Sequence, residues 1–348
     1  MSVAPADAGR AAALLAALQE AGSASPRAIV ASLEQLEGGW SRHSWTARVE
    51  DPDGEGPAGV HDYVVRVRPQ GALLDTSLRQ EYDTYALLVD DPVPTPRVHG
   101  FVDDDASAFG GPYFAMDRLP GRSLNVWRPG DREVLQRSWD DGRGLAEDLV
   151  RDLAAIHAID ADRVAGRIPL RSFAETVDHW RGIYEDVRLV EDPVVDEAYA
   201  WVRSREPAPV APKLVHADYR IGNCLIADDR ITGVLDWELS FVGDPRFDLG
   251  YMSLDYHAGK FAAPGSPLLN ATAEREWFHA RYTELTGVPV DQDTVDTFSA
   301  LGALMLFAIL STGIRVYADG GTDDIRFLWS RFALPALRQD LSHLMGWR

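Results

Sequence analysis

The chain has 348 residues, 46% hydrophobic and 25% charged, the composition of a globular protein long enough for two domains or two unequal lobes. Its 54 acidic against 34 basic residues leave a formal charge of -20, which argues against nonspecific binding to nucleic acid or to anionic membranes, though it could draw in a cationic substrate. The single cysteine, Cys224, excludes an internal disulfide and fits a reducing compartment.

Along the chain, residues 1–25 read as an N-terminal helix with a Gly-Ser-rich exit, and the alanine-rich stretch 11–18 is its surface-helix core. No positively charged start precedes a long apolar stretch, so a signal peptide is not expected. The later apolar run at 301–310 is far short of the ~20 residues of a membrane span. A cytoplasmic protein is therefore expected. From 28 to about 116 the pattern is of short β-rich runs. Residues 45–49 and 62–67 read as strands joined by the Asp-, Gly- and Pro-rich 51–59, with a helix at 77–88 and a strand at 113–117. Beyond Pro120 helical periodicity dominates, at 145–157, 173–187, 195–203, 273–285 and 294–317. Short strands at 213–215, 224–227 and 231–236 interrupt it. The expected fold is α+β and two-lobed, with a small β-rich N-terminal lobe, 1–117, and a larger, mainly helical lobe, 118–348.

Those three short strands bracket the motifs HADYRIGN, at 216–223, and LDWE, at 235–238. The order Asp218, Asn223, Asp236 is the one phosphoryl transfer from ATP requires. One carboxylate orients the attacking hydroxyl and receives its proton; an amide oxygen and a second carboxylate hold Mg2+, a hard cation that takes oxygen ligands. The bland alternative is that the three merely cap turns. The apolar strands between them favour the catalytic reading, with Asp218 as base and Asn223 and Asp236 on metal. Arg220, two residues on, could touch the transferring phosphate or lie solvated at the surface. His216 is expected to hold the loop rather than act as a base, and Cys224 to be a small buried residue. Glu238 could assist the metal, contact substrate or make a structural hydrogen bond. GDPRFDLG, at 243–250, reads as a turn into a helix, with Asp248 fixing the catalytic loop through backbone hydrogen bonds.

The small lobe needs a loop over the phosphates, a cation on a strand and an acid on a helix. EGGWSRHSW, at 37–45, offers Gly38, Gly39 and Ser41 for the first, although adjacent glycines more often mark only a hairpin turn. In HDYVVRVRP, Arg66 and Arg68 share one face by alternation, and either could pair with Glu81 and reach the phosphates; Arg66, after two valines, is preferred. Met116 to Arg118 is expected to be the hinge where adenine meets backbone groups.

HADYRIGN, LDWE and GDPRFDLG resemble the aminoglycoside phosphotransferase family, a branch of the protein-kinase-like fold, and the similarity covers roughly 33–256. The pattern DYR-x-GN with DWEL-x-x-x-GDP-x-x-DLG, together with VVRVRPQGALL and RQEY, is similar to the subgroup linked to acyl-CoA dehydrogenases. The resemblance implies a kinase-like fold that uses Mg-ATP to phosphorylate a small-molecule hydroxyl, with Asp218, Asn223 and Asp236 in the roles above. Two residues depart from the family pattern. Ala217 stands where glycine is usual, and arginine replaces the small-lobe lysine while keeping its charge. For the acceptor, the resemblance implies a hydroxyacyl-CoA-type alcohol; an aminoglycoside-like antibiotic is the alternative, and a catalytically silent nucleotide-binding protein the remote one. The region 256–285 with 294–319, read as the acceptor side, has no acid between Tyr256 and Ala273 and offers His257, Lys260, Phe261, Trp277 and Tyr282, which weakly favours a less cationic acceptor.

Overall fold

The structure, a computed structural model, describes residues 4, 7–36, 42–54, 59–69, 74, 76–260 and 265–347. The chain divides into two compact units, Met1–Val89 with Thr95–Leu119, and Asp90–Pro94 with Pro120–Arg348.

The first unit contains α1 (Ala8–Glu20), β1 (Ile29–Leu36), β2 (His43–Glu50), β3 (Val60–Val67), α2 (Leu78–Leu88), β4 (Val98–Val102) and β5 (Tyr113–Asp117). The strands form one antiparallel sheet in the order β1-β2-β3-β5-β4. Alternation sends Trp45, Ala47 and Val49 of β2 and Tyr63, Val65 and Val67 of β3 into a core shared with Leu14 and Leu18 of α1. The intervening residues, among them Asp62, Val64 and Arg66, are less buried and belong to the other face. α2 starts where the Ser77 hydroxyl accepts the Gln80 N–H at 3.2 Å. It packs Tyr82 and Tyr85 on Phe114 of β5.

The second unit holds α3 (Pro129–Asp140), α4 (Gly144–Ala158), α5 (Ala161–Val164), α6 (Phe173–Val187), α7 (Pro193–Arg203), β6 (Lys213–Val215), β7 (Cys224–Ala227), β8 (Arg230–Val234), β9 (Phe241–Gly243), α8 (Arg246–Met252), α9 (Arg275–Thr286), α10 (Gln292–Ala318) and α11 (Arg326–Leu344). β6 pairs with β9, and β7 with β8. α10 is the hub, packed by α6, α7, α8 and α11. Its length and hydropathy of 1.8 would suffice to cross a membrane, but 83% of the apolar window is buried inside this unit, so it is a core helix.

The α+β architecture is as expected, a β-rich N-terminal part followed by a mainly helical one. The approach of α8 to α10 depends on Gly250, where a β-carbon would overlap the backbone of Phe298 and Ser299. The Ser299 hydroxyl then donates to the Gly250 carbonyl at 2.9 Å. That contact sets the position of Asp248 and Tyr251.

Candidate active site

The β7–β8 hairpin turns through Asp228 and Asp229, both at positive φ, and pairs Cys224 with Val234. One step beyond that pair, the Leu235 N–H donates to the Asn223 carbonyl at 2.9 Å. Asn223 and Asp236 thus flank the open end of one hairpin, brought together by register. Asp236 sits there at φ 73°, a left-handed conformation unusual outside glycine.

The loop from His216 to Asn223 is held from beneath. Asp248, fully buried, accepts the His216 N–H at 2.9 Å and the Ala217 N–H at 2.8 Å. This clamp holds Ala217 at φ 68°, where glycine would sit without strain. The same carboxylate is 3.0 Å from His157 Nε2 of α4, whose Nδ1 lies 2.7 Å from the Tyr282 hydroxyl. His216 has the structural part expected of it. Its Nδ1 accepts the Asp218 N–H at 3.2 Å, and its Nε2 donates to the Leu235 carbonyl at 3.0 Å. Cys224 is fully buried, and burial pushes its thiol well above the usual range.

At the exposed side of the loop, Arg220 Nε donates to Asp218 Oδ1 at 2.9 Å. Asn223 Nδ2 donates to Asp218 Oδ2 at 2.7 Å and to its carbonyl at 2.9 Å. Gly222 makes room, since a β-carbon there would strike the Arg220 guanidinium. Burial alone would raise the Asp218 carboxyl, but the Arg220 charge holds it below the usual carboxylate range, so it is ionised at neutral pH. Because the Asn223 NH2 is committed to Asp218, its oxygen faces away as a hard donor. With the half-buried Asp236 carboxylate it suits Mg2+, which commonly takes only one or two protein ligands and completes its shell with phosphates and water.

Two neighbours of this site, Tyr251 and Asn270, gave no sequence signal, while a third, His257, is one of the residues expected on the acceptor side. Tyr251 of α8 lies beside Asp218. Asn270 Oδ1 accepts the Ile221 N–H at 3.0 Å. His257 is 4% exposed and close to both Arg220 and Asp218; burial, with the Arg220 charge, pushes it down to about 3, so the ring is neutral. The acceptor-side expectation needs correction. Trp277 packs on Trp139 and Arg143, Tyr282 is buried on His157, and Lys260 is paired with Asp255 at 2.8 Å. Phe261 lies outside the described residues.

In the first unit, Arg66 donates to Glu81 Oε1 through Nε at 3.1 Å and Nη2 at 2.9 Å. Arg68 instead faces Asp105 at 3.6 Å. Glu81 is fully buried and takes a second arginine, Arg42, on Oε2 at 3.2 Å; Arg42 also donates to the Thr76 hydroxyl at 2.7 Å. Arg42 was not anticipated, because nothing local ties it to a helix 39 residues away. Gly38, Gly39 and Ser41 lie outside the described residues. Met116 is buried in β5 and paired on both sides, with Val64 and Val98. The Arg118 N–H donates to the Asp62 carbonyl at 2.9 Å, so it is taken by the sheet; the Leu119 N–H has no partner among the described residues. Arg118 also borders a groove of about 370 Å³ across β1, β2 and β3, with the Arg48–Asp62 ion pair in its wall.

Comparison with known proteins identifies the family and the fold. The profile of the phosphotransferase enzyme family matches residues 32–285. Acyl-CoA dehydrogenase family member 10 of Mus musculus is 26% identical over 241 residues, 65% of this chain. The chain spans only 20% of that relative's length. A solved structure from Ralstonia eutropha JMP134, provisionally named an aminoglycoside phosphotransferase, superposes with a TM-score of 0.72 at 23% identity, covering 97% of this chain and 98% of that one. A thermostable mutant of aminoglycoside phosphotransferase APH(4)-Ia, in a ternary complex with AMP-PNP and hygromycin B, gives 0.60 at 18% identity, covering 96% and 98%. At such identities these two structures share the fold.

Proposed function

The chain belongs to the phosphotransferase enzyme family, and on that premise we propose that it transfers the γ-phosphoryl group of Mg-ATP to a hydroxyl of a small cytoplasmic molecule. The observation that carries the reading is the loop itself. Asp218 is ionised, fixed by Arg220 and Asn223, and among the described residues its carboxylate accepts no backbone N–H as a capping residue would. Asp218 orients the acceptor hydroxyl and takes its proton as the oxygen–phosphorus bond forms and the bond to ADP breaks. Arg220 offsets charge on the transferring group. Asn223 Oδ1 and the Asp236 carboxylate would hold Mg2+, which when bound neutralises phosphate charge. Arg66, braced by Glu81, meets the nucleotide's phosphates, and Gly38, Gly39 and Ser41 belong to the phosphate loop. The adenine contact assigned to Met116 and Arg118 passes to the Leu119 N–H, the amide the sheet leaves unused.

For the acceptor, a hydroxyacyl thioester or related metabolite fits best. The groups beside Asp218 are Arg220, neutral His257, Tyr251 and Tyr256. The name of the mouse relative, an acyl-CoA dehydrogenase family member, points to the same chemistry. One observation favours the antibiotic alternative. A hollow of about 220 Å³ is lined by Asp255, Asp296 and Asp340, with Arg275 and His343 beside them, and could hold an amino group. ADP release with Mg-ATP decides between them, across hydroxyacyl-CoA esters, free hydroxy acids, aminoglycosides and macrolides. Stimulation by one class, lost in Asp218→Asn, establishes kinase and acceptor class together. Equal turnover by Asp218→Asn would overturn the assignment of the base.

A further inference from the structure

Among the described residues, His257 is a buried polar side chain close to Asp218 whose ring makes no hydrogen bond. Its backbone N–H donates to the Leu254 carbonyl at 2.9 Å, which fixes the residue, but neither ring nitrogen makes a hydrogen bond among the described residues. Nε2 is wholly buried. Leaving such a group unsatisfied is costly, and the exceptions in folded proteins call for a ligand or a function.

The surroundings say which ligand. The imidazole lies against Tyr251, with ring centroids 4.5 Å apart, and edge-on to Tyr256 at 5.5 Å. Tyr256 in turn meets Trp127 edge-on at 4.8 Å, and Trp127 is 37% exposed. An aromatic file thus runs from the surface, through Trp127 and Tyr256, to His257 and the Asp218–Arg220 pair. Flat apolar walls suit a hydrocarbon chain. At the inner end the Arg220 guanidinium repels an ammonium group and attracts an electron-rich oxygen. A neutral imidazole can donate one N–H to that oxygen without adding charge.

We propose that His257 is a specificity-determining residue, whose unpaired ring nitrogen hydrogen-bonds a carbonyl or carboxylate oxygen adjacent to the phosphorylated hydroxyl and so selects hydroxycarbonyl compounds over amino sugars. The inference rests on the kinase reading above and adds to it the residue that reads the acceptor.

The test uses the full chain with Mg-ATP and three probes: 3-hydroxybutyryl-CoA, free 3-hydroxybutyrate and hygromycin B. His257→Leu removes the hydrogen bond, and His257→Gln replaces it. The expected result is a fall of about 10- to 100-fold in kcat/KM for a hydroxycarbonyl probe in His257→Leu, carried mainly by KM, with most of it regained in His257→Gln. Affinity for Mg-AMP-PNP should hold within about twofold, as for a group that does not touch nucleotide. In the wild-type protein, independently of either variant's folding, the ¹⁵N signals of the His257 ring should shift when the hydroxycarbonyl probe is added. An unmoved ring with a bound probe, equal losses of acceptor and nucleotide affinity, or turnover of hygromycin B alone would each overturn the inference. So would the absence of turnover on all three probes while ATP hydrolysis dependent on Asp218 persists. Loss of that dependence would instead bring down the kinase reading beneath it.

Discussion

Glu81 in the first unit and Asp248 in the second are both fully buried carboxylates, yet they hold different things. Glu81 takes the guanidinium groups of Arg66, from β3, and of Arg42, just ahead of β2. Asp248 takes the backbone N–H groups of two consecutive residues, His216 and Ala217, and the ring of His157. The first arrangement fixes where a positive charge stands. The second fixes the course of the main chain that carries Asp218, and it needs no arginine because oriented N–H donors stabilise the anion. On the proposed reading, the first unit sets the charge that meets nucleotide with side chains, and the second sets its catalytic loop with backbone.

Substitutions should separate the two designs. Asp248→Asn turns an NH2 group toward a backbone donor that can no longer be satisfied. It should cost about 2–4 kcal/mol in stability. Displacing the loop should lower kcat by about 100-fold or more, with KM for ATP little changed, measured by thermal unfolding and ADP release. Glu81→Gln loosens Arg66 and Arg42 without touching the loop. KM for ATP should rise about 10-fold with a smaller change in kcat; a collapse of kcat at constant KM would erase the distinction.

Asp152 of α4 sharpens the comparison, as a buried carboxylate whose Oδ2 makes no hydrogen bond among the described residues. Burial raises its carboxyl to about 7 despite the Arg151 charge 3.6 Å away. Unfolded, the group ionises near pH 3.9, so between about 4 and 7 the folded chain binds the extra proton and stability falls as pH rises. Asp152→Asn should therefore stabilise the protein by about 2–4 kcal/mol at pH 8 and by clearly less at pH 5. A gain independent of pH would show that the carboxyl ionises over the same pH range folded as unfolded. The smallest effect is expected at Ala217. Glycine there removes the left-handed penalty of about 1 kcal/mol but loosens the unfolded chain by a similar amount, leaving Tm and kcat nearly as they were.

Much of this second design is written in contiguous sequence. HADYRIGN, LDWE and GDPRFDLG each fold locally, and the hairpin register between the first two follows from two short apolar runs joined by a two-residue turn. The small unit was less legible. β1 and β4 were not foreseen as separate strands, because each carries an irregular register, at Val30/Ser32 and at His99/Phe101, which breaks the alternation that reveals a strand. Arg42 and His157 find their carboxylates across 39 and 91 residues, and no local pattern marks such pairs. α11 hides its helical period behind Pro335, and α3 is too polar to show an apolar face. Trp277 and Tyr282 were misplaced for a related reason: composition says which residues a helix owns, but packing decides which way they face.

The most direct test of the account is a paired measurement on Asp218→Asn, of phosphoryl transfer from Mg-ATP in a single turnover and of Mg-AMP-PNP affinity by titration. The account predicts transfer reduced by about 100- to 10,000-fold with nucleotide affinity intact, since the carboxylate acts on the acceptor's proton. Transfer at the wild-type rate, or loss of nucleotide binding in step with transfer, would contradict it.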